Sequence, residues 1–144
     1  MRRLVRIVVV PIALAVAGPV FAEQSDVVKY RQAMMSANGG HMAAASTILG
    51  GKVPHKDHLG EHARAIEMLN KNIAALFPNG SEAESNTRSE AWTKRADFEK
   101  RANDARDKSA AFAKAVANND PQASARFREL GTTCKGCHQD FRND

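Results

Sequence analysis

Apolar side chains recur along this chain at helical spacing, not in strict alternation. In a first segment, Val28, Met35, Met42 and Leu49 fall seven residues apart on one face. Ser25 or Asp26 opens this segment, Ser25 is a suitable cap, and Gly50-Gly51 stop it after Leu49. A second segment, from about Pro54 to Leu76, carries the stripe Leu59, Ala63, Ile66, Leu69, Ile73 and Leu76. Pro54 suits its first turn, and Phe77-Pro78-Asn79-Gly80 ends it. The polar stretch from Ser81 to Ser89 is the longest connection. A third segment, from about Ser89 to Ala117, places Phe98, Ala102, Ala105, Phe112 and Val116 on its inner face, with Trp92 near its start. Asn118-Asn119-Asp120 breaks it, and Asp120 caps a fourth helix that begins with Pro121. That helix repeats Ala123, Phe127, Leu130, Cys134, Cys137 and Phe141 at steps of three and four. The pattern predicts an all-α fold, an antiparallel four-helix bundle.

Composition agrees. Aromatic residues make up 6% of the 144, and alanine is abundant, which favours helices over a sheet-built core. The first 22 residues stand apart. Arg2, Arg3 and Arg6 precede an apolar run from Ile7 to Val20, and Val20-Phe21-Ala22 offers a small-residue cleavage site. Pro11 and Gly18-Pro19 interrupt the run and count against a membrane-spanning helix. The expected organisation is a cleaved signal peptide over 1–22, a bundle over 23–144, and no membrane anchor afterwards. Cleavage lowers the formal charge from +5 to +2, since three of the 21 Lys and Arg go and all 16 Asp and Glu stay. No basic cluster is left that points to nucleic acid.

Export sets the redox context for the two cysteines, which must end as a disulfide, a metal site or a covalent attachment. They stand in Cys134-Lys135-Gly136-Cys137-His138, a Cys-x-x-Cys-His run that reads as covalent attachment of a c-type haem. Positions three and four apart share a helix face, so both thiols project together and His138 lies one turn beyond Cys134. That face is the apolar one, which puts the haem in the bundle interior near one end. A thioredoxin-like pair expects a βαβ context, and structural zinc expects four ligands.

The chain resembles the class II c-type cytochromes, the cytochrome c′ family, across 23–144. The resemblance rests on Cys134–Arg142 (CKGCHQDFR), supported by Tyr30-Arg31-Gln32-Ala33-Met34-Met35, Gly51-Lys52-Val53-Pro54 and Leu76-Phe77-Pro78. It implies a periplasmic four-helix bundle with one haem c per chain, Cys134 and Cys137 as thioethers and His138 as the proximal iron ligand. It also implies that Met35 holds the distal position. The closest resemblance is to the low-spin cytochrome c-556 type, in which a methionine of the first helix binds the iron. The expected function is then single-electron transfer with His/Met-ligated iron and no bond chemistry on a substrate. The alternative is a high-spin, five-coordinate site that binds nitric oxide or carbon monoxide, with Met35 packed but not ligating. Met34 points about 100° away around the helix, Met42 reads as core, and His41 is a fallback ligand. Arg31, one turn before Met35, is expected to meet a haem propionate. Arg142 matches a position near the haem. Implied partners are periplasmic redox proteins and, in some members, a second copy through the first helix. The Gly39-Gly40 pair either lets the first helix bend around the porphyrin or is a surface feature. His58 and His62 are i,i+4 neighbours with the spacing of a shared metal, although a solvated face is the simpler account of them and His55.

Overall fold

A computed structural model describes residues 22–83 and 85–143, with side chains from residue 26 onward. The expected signal segment lies outside the described residues, apart from the backbone of Ala22. Helix α1 spans Ala22–Leu49, α2 Leu59–Asn70, α3 Glu90–Thr93, α4 Arg95–Ala117 and α5 Ala123–Phe141. Four of these are the long helices of an antiparallel bundle, and α3 is a single turn leading into α4. Among the described residues the only sheet-like pairing is an isolated bridge between Thr87 and Arg142.

The ends of the helices follow local chemistry closely. After Leu49 the chain makes a Schellman stop. Gly51 turns left-handed at φ 67°, its N–H donates to Ile48 O at 3.0 Å, and Lys52 N–H donates to Thr47 O at 3.1 Å. Asp120 does what its position promised, accepting the Gln122 N–H on its carboxylate at 2.8 Å just before α5. At the other end, α1 already includes Ser25 in its body, so this serine lies inside the helix and not at its cap.

Two expected helices are interrupted. The second segment is not continuous from Pro54. A short 3-10 turn covers Lys56–His58, α2 ends at Asn70, and another 3-10 turn covers Ile73–Leu76. Asn70 is the physical cause. It is buried, and its amide donates to Ile66 O at 2.7 Å and to Asn38 Oδ1 on α1 at 3.2 Å. A side chain that bonds the preceding turn competes with the helix there. The third segment breaks at Lys94 (φ −111°, ψ 49°). Tertiary bonds fix that break, because Trp92 Nε1 donates to Pro78 O at 2.9 Å and Arg95 donates to Phe77 O at 2.8 Å and Ala74 O at 3.0 Å.

Two buried clusters hold the bundle. One joins Ala45, Ala63, Ile66, Phe112, Ala113 and Leu130. The other joins Phe77, Ala91, Phe98 and Phe141 at the opposite end. Helix α4 packs on both α2 and α5, and α2 packs on α1. Contact between α1 and α5 is sparse, so the ring of helices is open along that side. The Ser81–Ser89 connection closes one end. Arg88 N–H donates to Phe141 O at 2.9 Å and Asn143 N–H donates to Asn86 O at 2.7 Å, tying the end of α5 to it.

The glycine pair of α1 is now placed. A β-carbon added at Gly40 would meet nothing within 4 Å, and the residue is exposed. Gly40→Ala is expected to stabilise the protein by about 0.5–1 kcal/mol through helix propensity alone. A raised urea midpoint checks this; a lowered one would show that the helix needs an unsubstituted residue there.

Candidate haem site

The gap between α1 and α5 is a cavity of about 870 Å³, at the upper end of the range of natural ligand pockets. Helix α5 contributes Cys134, Cys137 and His138 to its wall, and α1 contributes Arg31, Met35 and Met42. The expected attachment motif and the expected distal residue therefore face one space from two helices. Both cysteines are free and half-buried. Cys137 packs against the cluster of Phe77, Phe98 and Phe141, and Met35 packs against that same cluster. Cys134 and Met42 pack against the other cluster, which includes Ala45 and Leu130.

Electrostatics gives neither thiol the depressed pKa of an activated cysteine. Burial pushes the Cys134 thiol up. Burial and the neighbouring Cys134 push Cys137 up to about 11. Catalytic cysteines are instead held low as thiolates. Burial, with the Arg142 charge beside it, pushes the His138 imidazole below its ordinary value. A lowered value favours the neutral ring, the form with a lone pair to give a metal.

Gly136 lies between the two cysteines. A β-carbon there would lie 3.5 Å from Arg101 Nη1, an ordinary van der Waals contact. Arg101 lines the cavity and grips Asp140 through Nε at 3.1 Å and Nη2 at 2.7 Å. Arg142 also lines the cavity, from an exposed position. Nothing in the periodicity of α4 singled out Arg101, which lies beside the inner-face residue Ala102.

Arg31 is placed differently from a free propionate ligand. It is 3% exposed, and its guanidinium lies over the Phe77 ring at 4.6 Å. Nη1 donates to Leu76 O at 3.2 Å and Ser81 Oγ at 3.0 Å, and Nη2 donates to Ser81 O at 3.0 Å. Nε has no acceptor among the described residues. Burial pushes the Arg31 guanidinium down from its usual value, and the Glu82 carboxylate opposes this. Sequence reasoning found Arg31 but missed Ser81, a buried residue in a polar stretch with no pattern to mark it.

The histidines regroup. His62 does not pair with His58. Its Nδ1 lies 2.9 Å from Nδ1 of His41 on α1. His58 stacks on His55, with ring centroids 5.1 Å apart. His41 does not line the cavity.

The residues present fit a haem attached through two cysteines: two free thiols and a neutral histidine face one largely apolar cavity, with a methionine on the opposite helix. Fold and site together define a four-helix-bundle cytochrome of the c type. The match to the family model described as Cytochrome C' runs over residues 26–142, and the chain belongs to that family. It carries one covalently bound haem c. A cytochrome c' of Pararhodospirillum photometricum is 36% identical over 118 residues, covering 80% of this chain and 94% of that one. A cytochrome c-556 of Rhodopseudomonas palustris is 25% identical over 153 residues, covering 97% and 98%. Among solved structures, a ferrous variant of cytochrome c prime from Alcaligenes xylosoxidans with bound NO superposes with a TM-score of 0.79 at 25% identity, covering 86% and 98%. The identity is thus higher to a cytochrome c' than to the c-556 type that the sequence was expected to resemble most. Among the described residues no helix is long and apolar enough to cross a membrane.

Proposed function

We propose that this cytochrome is a periplasmic gas-binding protein. His138 would hold the haem iron, which would take up nitric oxide or carbon monoxide. When bound, the haem would supply iron that can take up a small gas and change between ferric and ferrous. The chain's own residues do the rest. Cys134 and Cys137 would hold the haem through two thioether bonds. His138 presents a neutral ring nitrogen. Phe77, Phe98 and Phe141 keep water from one end of the cavity, and apolar burial is one lever on the potential. Arg31 has its Nε–H and one Nη2 hydrogen left to offer a propionate, and its other three hydrogens are committed to Leu76 and Ser81. Residues 1–22 are read as the export signal.

The observation that carries this reading is the seat of Met35. Its side chain is packed against the aromatic cluster that also holds Cys137, and thioether–aromatic contact is itself stabilising. Met35 in this role crowds the distal side without binding the metal. The NO-bound relative supports the same reading. A second reading, single-electron transfer with Met35 as the sixth ligand, is favoured by Met35 lining the same cavity as His138 and by the c-556 relative.

Absorption spectra of the ferric, ferrous and carbon monoxide-treated ferrous protein separate the two. High-spin bands that shift with carbon monoxide, unchanged in kind in Met35→Leu, are the expected result. Sharp low-spin bands indifferent to the gas, turning high-spin in Met35→Leu, would overturn the proposal in favour of electron transfer. The leucine keeps the volume of the methionine, so the comparison isolates the sulfur.

A further inference from the structure

We propose that His41 and His62 form a binding site for a divalent d-block cation, copper(II) foremost, on the seam between α1 and α2 and apart from the haem cavity. The two Nδ1 atoms are 2.9 Å apart, and the ring centroids 5.2 Å apart with planes inclined at 55°. Both residues are half-buried, and neither lines the cavity. In the metal-free chain one ring donates its Nδ1 hydrogen to the other ring's Nδ1.

The seam holds this spacing. One turn before His41, the side chains of Asn38 and Asn70 bond each other reciprocally at 3.4 and 3.2 Å. One turn after it, Ala45 is fully buried, as are Ala63 beside His62 and Ile66 one turn on. Small side chains let the helices approach closely, and the amide pair fixes their register. The two imidazoles are therefore held side by side before any ligand arrives, which lowers the ordering cost of binding.

The spacing suits a metal with donors at a right angle, once both rings turn so that their Nδ1 lone pairs converge. Metal–imidazole bonds are about 2.0–2.1 Å long. Two nitrogens 2.9 Å apart at that bond length subtend about 90° at the metal, the angle between adjacent positions of a square. A tetrahedral ion would spread them to roughly 3.3–3.4 Å. Square-planar and tetragonal nitrogen sites suit copper(II) and nickel(II), and copper(II) is the tightest divalent ion of its row. Binding needs no redox step. The cation takes both Nδ1 lone pairs, and the shared hydrogen moves to an Nε2 as that ring changes tautomer. Among the described residues no group of three His, Cys, Asp or Glu is placed to hold a metal, so water fills the other positions.

The test is titration of the ferric holoprotein with copper(II) glycinate, followed by calorimetry and electron paramagnetic resonance. The proposal expects one copper per chain, nitrogen couplings from two imidazoles, and haem bands that do not move. His41→Gln and His62→Gln should each weaken binding at least about tenfold, the lower end of what even an outer-shell change costs. The double variant His55→Gln/His58→Gln should bind as the parent does. Binding that survives both single variants, or that follows His55 and His58 instead, overturns the proposal. So does a parent protein with no saturable copper site. The nitrogen count comes from the unaltered protein, so it stands even where a variant folds poorly.

Discussion

Phe98→Ala is expected to cost about 3–5 kcal/mol of stability, the range for emptying a large aromatic site in a core. Phe98 is 2% exposed and is the centre of the aromatic end of the bundle. Its ring meets Phe77 edge-on at 4.7 Å and Phe141 at 5.2 Å with planes at 90°. Both contacts are geometries that add to simple burial. The residue also lines the cavity, so the lost ring opens the site as well as the core. Urea unfolding of the holoprotein gives the number, and Phe98→Leu should lose clearly less because it refills most of the volume. A loss below about 1 kcal/mol for the alanine variant would mean that the cluster collapses onto the gap, or that the covalent haem and not this cluster carries the end of the bundle.

Arg31→Ala is expected to cost about 2–4 kcal/mol, because it strands the buried acceptors that the guanidinium now satisfies. Ser81 O, Ser81 Oγ and Leu76 O all lose a charged donor, and the stacking on Phe77 and Trp92 is lost with it. Arg31→Lys should recover little. A lysine offers a point charge on a flexible stem, where the site uses a flat fork reaching a hydroxyl and two carbonyls at once. The readout again is the urea midpoint, taken together with the absorption spectrum. If Arg31 acted on a haem propionate alone, stability would hold and the spectrum or potential would move. The expected outcome is the reverse, a large loss of stability with the haem bands kept while the protein is folded.

Much of this was legible along the chain because it depends on neighbours in sequence. The seven-residue spacing of Val28, Met35, Met42 and Leu49 marked the inner face of α1, and Val28 is indeed buried there. Gly50-Gly51 and Asp120 marked a helix stop and a helix start, each realised by hydrogen bonds spanning no more than five residues. The register of Cys134, Cys137 and His138 on α5 follows from helical geometry, and with it the face that turns to the cavity. What misled was the same reliance on local pattern. Apolar stripes ran through Asn70 and Lys94 without a break; the helices end there through the Asn70 bonds to Ile66 O and to Asn38 and through bonds from Trp92 and Arg95 to other segments.

The sequence by itself thus determined the class of fold, the positions of the long helices and the chemistry of attachment, since helix periodicity, capping and motif spacing act within a few residues. Tertiary structure alone decided the rest. It set Arg31 on Ser81, fifty positions away, and His41 on His62, twenty-one positions away. It left α1 and α5 apart so that Met35 and the Cys134–His138 motif look into one cavity. The reason is physical. Such pairings arise when helices pack at fixed distances, and that packing minimises the free energy of the whole chain, which no short window of residues encodes.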